Sequence, residues 1–344
     1  MADVKDKWPM DHYSMQRLFQ TMQQTPENTK LHLRGWVPDW LHGAFYRNGP
    51  AIYEWGDEEY FHMFDPNGEF ITDFGYNLYH TILVLVKYWR ILMGFSLGII
   101  QRFAVEDGEI TYNSRYIESR NYLMNKEHQK ICAPEIGTYG ELPWVTEGVE
   151  DESEIKKNRL NFIQNYYPTT NSLVSVMPFH GWLLSMNESP IIHLHDPYTL
   201  EVVHEIDIRE SPKLPDTFRI ATMTAHGMYD LDDGTYWNSG VGLDLSGPFP
   251  RVGYYVVKSE NAYHGFNRRA TPQEILNSLE FSEIAHNKNP LDISIGYYHM
   301  FGITDNFIVL PLSSVKMDSK MLFSEMLNAQ PLINVSFWSL KPRK

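Results

Sequence analysis

The sequence predicts an all-β chain of short antiparallel strands, with a propeller as the favoured architecture and a jelly roll or sandwich as its competitor. Three observations carry that reading. Residues 173–208 parse into four short strands joined by tight turns, the rhythm of a propeller blade. Asp107-Gly108 separates two runs of alternating apolar and polar residues, a strong hairpin signal. Helical periodicity is confined to a few stretches, chiefly 8–25, where Met15, Leu18, Phe19 and Met22 recur at three- and four-residue intervals, and 272–279.

The bulk numbers bound the rest. A length of 344 residues suits one large β domain or two ordinary ones, and 43% hydrophobic with 14% aromatic residues suits a packed core. A formal charge of -14 without clustered Lys and Arg excludes nucleic acid as a partner. Cys132 is the only cysteine, which rules out an internal disulfide and points to a reducing compartment. The opening MADVKDKWPMDHY lacks the apolar core of a signal peptide, so a cytoplasmic location is expected.

Residues 1–30 are expected to form an N-terminal helical segment, ended by Pro26, and 31–344 the β domain. Strands are expected at 31–37, 43–48, 59–64 and 70–74, each bounded by Gly, Pro or Asp. The block 75–100 interrupts this series: it is long, apolar and without turn residues, and reads as an insertion before a hairpin at 103–106 and 110–116. Its most apolar part, TILVLVKYWRILMGFSLGII, carries Lys87 and Arg90 in its middle, which leaves no run of about 18 uncharged residues for a membrane span. Further hairpins are expected around 231–234 and, at 295–311, in IGYYHMFGITDNFIVLP.

No P-loop, GxSxG elbow or HExxH is present, and the pair Gly240-Val241-Gly242 lacks the rest of a dinucleotide fingerprint. The chemistry therefore falls to the 14 histidines and the carboxylates. His193 and His195 alternate on one strand, a pattern that a surface-facing pleat also produces, and His12, His32, His42, His128, His264 and His286 have polar or loop surroundings. His226 and His299 differ, because each ends an apolar strand just before a hairpin. At the strand ends of a propeller, imidazoles from separate blades would converge on one ion, and neutral imidazole suits Fe, Zn, Cu or Ni. The competing reading is a buried, hydrogen-bonded structural histidine. Glu135, in ICAPEIGTYG, is the carboxylate chosen to take a second N–H from such a ligand, against the reading of an ordinary loop Glu.

Taken in order, these segments resemble the carotenoid cleavage oxygenases, particularly the animal branch of β-carotene oxygenases and the retinal pigment epithelium isomerohydrolase. The resemblance rests on LHGAFYRNGPAIYEWGDEEYFHMFD, RFAVEDGEITYNSRYIESRNY, APEIGTYGELP, TNSLVSVMPFHGWLLSMNESPIIHLHDPYTLE with its Glu-Ser-Pro, TAHGMYDLDDGTYWN and YYHMFGITDNFIVLPL. It runs from about residue 31 to the C-terminus, broken at 75–100. It implies a seven-bladed β-propeller, incomplete in this chain, capped by loops around an apolar tunnel. His226 and His299 would be the first two of four ligands to Fe(2+), and Glu135 a carboxylate behind them. The implied reaction is cleavage of a carotenoid double bond with dioxygen to two carbonyl products. The implied alternatives are retinyl-ester isomerohydrolysis, or carotenoid or retinoid binding without catalysis. Peripheral membrane contact for substrate uptake is a further expectation.

Two departures stand out. Gly227-Met228 replaces the Pro-His common after the first ligand, and the segments carrying the third and fourth histidines would lie beyond Lys344. A C-terminally truncated product, with 75–100 as an insertion foreign to the family, is expected to bind iron poorly.

Overall fold

The computed structural model describes residues 20–55, 58–59, 96–132, 135, 140, 145, 148–165, 169–287, 294–312, 315–317 and 336–338. Its strands, in chain order, begin with β1 Thr25–Lys30, β2 Gly43–Ile52, β3 Glu54–Trp55, β4 Glu58–Glu59, β5 Leu97–Glu106 and β6 Glu109–Tyr116. Helices α1 Arg120–His128 and α2 Glu152–Asn165 follow. Next come β7 Ser175–Phe179, β8 Trp182–Met186, β9 Ile191–His195 and β10 Val202–Asp207, then β11 Phe218–Met223, β12 Met228–Tyr229, β13 Tyr236–Asp244 and β14 Arg251–Ser259. Helix α3 Pro272–Ser278 precedes β15 Glu280–His286, β16 Ile295–Gly296, β17 Gly302–Ile303, β18 Ile308–Val309, β19 Val315–Met317 and β20 Ser336–Trp338.

These strands form antiparallel sheets in the orders β1-β6-β5-β2, β10-β9-β8-β7 and β11-β13-β14-β15, with β12 also on β13, and a smaller β16-β19-β20. The first two rest on tight hairpins. Asp107-Gly108 and His180-Gly181 each place two consecutive residues at positive φ, the geometry that matches the twist of flanking strands. At Gly181 only glycine fits, since a Cβ would lie 1.8 Å from the Arg268 carbonyl oxygen. The Gly240 and Gly242 pair lies inside β13, where a Cβ at either would come within 2.3 Å of a β11 carbonyl oxygen; these glycines let two strands close on each other.

Each sheet packs on the next. Ile100, Ile117, Leu173, Leu183 and Leu200 join the β1–β6 sheet to the β7–β10 sheet. Phe179, Leu184, Met186, Ile192 and Leu194 then meet Phe218, Met223, Tyr236, Tyr255 and Val257 of the β11–β15 sheet, with Ile275 and Leu276 of α3 closing one end. Val241, Val252 and Tyr254 pass the contact on to Ile295 and Tyr298. Every residue of β8 and β9 is buried, the polar Ser185, His193 and His195 included, because this sheet is covered on both faces.

The four-stranded unit at 173–208, the 103–116 hairpin and the 272–279 helix take the form the sequence predicts. Three expectations change. Residues 25–30 of the expected helical segment are strand β1, paired with β6 through Thr25–Ser114 and Thr29–Tyr112; two β-branched threonines favour the extended form once that edge is available. Residues 1–19 lie outside the described residues. The expected strand at 31–37 is irregular and largely exposed, with Gly35 at φ +123°, in a conformation that ends a ladder. The block 75–100 ends earlier than expected: Leu97–Ile100 belongs to β5, where Ile99 pairs with Gly49 and Ile100 with Asn48. Residues 75–95 and the expected strand at 70–74 fall outside the described residues, as does most of 59–64. Among the described residues no helix is long and apolar enough to cross a membrane.

Candidate functional site

The site forms where three chain connections meet. The first links β8 to β9 and carries Glu188; the second links β11 to β12 and carries His226; the third follows β16 and carries Tyr297 and His299. Extended backbone sends Tyr297 and His299 to one side and Tyr298 to the other. Tyr298 is buried, with its hydroxyl 2.9 Å from that of Ser239 on β13. That contact pins the strip from which His299 projects.

His226 is fixed by β13 as well. Asn238 donates to the Thr224 carbonyl at 3.0 Å and accepts from the Thr224 hydroxyl at 2.7 Å, while the Thr224 N–H donates to the Ser239 carbonyl at 2.7 Å. The Thr224 hydroxyl oxygen in turn receives the His226 N–H at 3.3 Å. Ser175 of β7 donates to the Ala225 carbonyl, tying the same turn to the neighbouring sheet. Gly227 lies against the Tyr236 ring, where a Cβ would come within 2.4 Å. The Gly after the histidine is thus a packing requirement of this chain.

The two imidazoles meet. His226 Nε2 and His299 Nε2 are 2.8 Å apart, with ring centroids at 4.5 Å and planes at 70°. His299 Nδ1 donates to Glu188 Oε1 at 2.8 Å, which leaves its Nε2 as a bare lone pair. The Tyr297 hydroxyl donates to the same carboxylate oxygen at 2.6 Å and lies 3.0 Å from that Nδ1. Burial, then the nearby Glu188 charge, raises the Tyr297 phenol, so it remains a donor. Burial chiefly, and then the neighbouring His299, lowers the His226 imidazole, favouring the neutral form a metal needs. Two imidazole nitrogens at right angles around one ion sit about 3 Å apart, given bonds of about 2.1 Å. The pair therefore fits one side of a transition-metal site. Among the described residues no group of three or more His, Cys, Asp or Glu side chains is arranged to hold a metal ion.

The sequence expected Glu135 behind these histidines. The structure gives Glu135 other partners: Asn121 donates to its Oε1 at 2.8 Å and Thr169 to its Oε2 at 2.7 Å. Burial pushes its carboxyl up to about 8, against those two hydrogen bonds. The carboxylate that orients His299 is Glu188, which sequence reasoning missed. Its signal was present in the Glu-Ser-Pro of a turn between two strands, a position at the sheet end that also holds His226. His193 and His195, read as an outward pleat, are buried instead.

Comparison with known proteins comes from three directions. The sequence pattern of the Retinal pigment epithelial membrane protein family matches residues 18–71 and 95–341. A β,β-carotene 15,15'-dioxygenase from Mus musculus is 24% identical over 301 residues, which cover 87% of this chain and 44% of that protein. A mitochondrial carotenoid-cleaving dioxygenase from Mustela putorius furo is 25% identical over 93% of this chain and 50% of its own length. The chain thus spans about half the length of these curated relatives. A single-site mutant of Synechocystis apocarotenoid oxygenase superposes with a TM-score of 0.57 at 14% identity, over 94% of this chain and 53% of its own, and shares the fold. A match along most of the chain, broken only between residues 71 and 95 at the extra apolar block, makes it a member of the Retinal pigment epithelial membrane protein family, the carotenoid oxygenases.

Proposed function

We propose that this chain carries half of a non-haem iron centre for oxidative cleavage of a carotenoid double bond. The observation that supports it most is the convergence of two Nε2 atoms at 2.8 Å with a carboxylate on the far nitrogen of one ring. His226 and His299 would hold Fe(2+) through those atoms. Glu188 would keep the His299 proton on Nδ1 and its Nε2 lone pair on the ion, and Tyr297 would hold Glu188 in place. Bound iron supplies activation of dioxygen, whose two oxygen atoms end on the two carbons of the broken double bond as carbonyls. The stacked sheets are then consecutive blades of a seven-bladed β-propeller, and the polyene would reach the histidines along the axis where the connections meet.

The second reading is a carotenoid or retinoid binder without turnover, supported by the two-histidine donor set among the described residues. One experiment separates the readings. The purified chain is incubated aerobically with Fe(2+) and either β-carotene or a retinyl ester, and the products are extracted. Aldehydes that disappear with His226→Ala and His299→Ala support the oxygenase. Retinol isomers would replace it with an isomerohydrolase, and bound, unchanged polyene would leave the binder.

A further inference from the structure

A second histidine cluster lies away from the paired site, inside the β7–β10 sheet. The run Ile191–His195 is fully buried, and its alternation puts His193 and His195 on one face. Ser185 sits opposite His193 in the β8–β9 register. Together with Ser172 and Glu205 these residues form an unbranched chain of contacts. Glu205 Oε2 to His193 Nε2 is 3.2 Å, and His193 Nδ1 to Ser172 Oγ is 2.8 Å. Ser172 Oγ to Ser185 Oγ is 2.7 Å, Ser185 Oγ to His195 Nε2 is 2.8 Å, and His195 Nδ1 to the Leu200 carbonyl oxygen is 3.2 Å. Ser172, Ser185 and His195 are 0% exposed and His193 is 1% exposed, so water does not complete the set.

Both ends of this chain are acceptors: an ionised carboxylate at one and a backbone carbonyl at the other. Five contacts need five hydrogens. Two neutral imidazoles and two hydroxyls supply one each, which makes four. Reversing the donors does not help, because every orientation that satisfies one end leaves two acceptors facing each other further along. A buried polar contact without its hydrogen is costly, and natural interiors avoid it.

We propose that this cluster is a buried proton-binding site, occupied at neutral pH by one proton beyond those of the neutral side chains and placed on His193 as an imidazolium facing the Glu205 carboxylate. The neighbours favour that placement. Burial alone would raise the Glu205 carboxyl, but the hydrogen bond and charge of His193, with the charge and backbone N–H of Arg120 at the start of α1, hold it below its ordinary range. His195 is pushed down to about 3, by burial first and by His193 second, so it does not take the proton. The charged and titratable groups around His193 are therefore Glu205 on β10, Arg120 on α1 and His195 beside it on β9. Losing the proton leaves one of the five buried contacts without a hydrogen.

Histidine ring nitrogens of the ¹⁵N-labelled full chain, observed by two-bond proton–nitrogen correlation at pH 7, test this. Both His193 nitrogens are expected to carry hydrogen. Glu205→Gln adds an amide N–H at the end of the chain and so supplies the fifth hydrogen, leaving His193 with a single N–H. Ser185→Ala splits the chain into pieces whose contacts neutral side chains satisfy, and is expected to do the same. A single N–H on His193 in the wild type overturns the proposal whatever the variants do. So does a doubly protonated His193 in Glu205→Gln.

Discussion

Glu188 and His299 lie 111 positions apart, and their side chains meet at 2.8 Å. The contact fixes which nitrogen of His299 keeps its proton, and with it which lone pair faces His226. Glu188→Gln keeps the shape but exchanges the negative charge for an amide. Metal affinity is expected to fall by about 10–100-fold, the usual effect of losing a carboxylate behind a ligating imidazole. Titration with Fe(2+) or Co(2+) against the wild type checks it; an unchanged affinity would remove Glu188 from the site.

Tyr297→Phe removes one donor to the same oxygen and leaves the ring packing intact. Stability is expected to drop by about 1 kcal/mol, the usual net worth of such a bond. Metal affinity should fall less than in Glu188→Gln, since the carboxylate still meets His299. Urea unfolding and metal titration on one preparation measure both effects.

Gly227→Ala drives a methyl into the Tyr236 ring, which is itself buried between sheets. A loss of about 1–3 kcal/mol is expected from overpacking, seen as a lower Tm. Tyr236→Phe should not rescue it, because the ring carbons collide as well as the hydroxyl.

Glu135 gives a pH signature. Its carboxyl is raised by burial to about 8 in the folded chain, whereas the unfolded chain titrates near 4.5. The folded state therefore binds this proton more tightly. The contribution is fully present below about pH 4.5 and is lost progressively as pH rises to about 8. Glu135→Gln should flatten that part of the stability curve and overtake the wild type above pH 8, measured by denaturant unfolding at pH 5 and pH 8.5.

Much of the strand order was legible because turn chemistry is local. Asp107-Gly108 and His180-Gly181 declare hairpins without reference to anything distant. His226 and His299 were legible through their segments, each an apolar strand followed by turn residues. What stayed hidden depended on partners remote in sequence. Glu188 sits in a polar turn and Glu135 in an apolar stretch of sequence, and only the fold shows that one faces His299 and the other Asn121 and Thr169. His193 and His195 alternate as surface residues do, yet a sheet covered on both faces buries each of them. The stretch 31–37 has strand composition, but β1 already occupies the β6 edge beside it.

Asn238 has a consequence for how the site tolerates change. It grips Thr224 by both hydroxyl and carbonyl, so the position of His226 is inherited from the middle of a central strand rather than from its own turn. The turn after the histidine then answers to its own packing, and Gly227, which the Tyr236 ring requires, stands with Met228 where the family commonly carries Pro-His. A graft of the histidine pair onto another scaffold would fail if it copied the turn alone; the transplantable unit is the turn together with the strand that steers it.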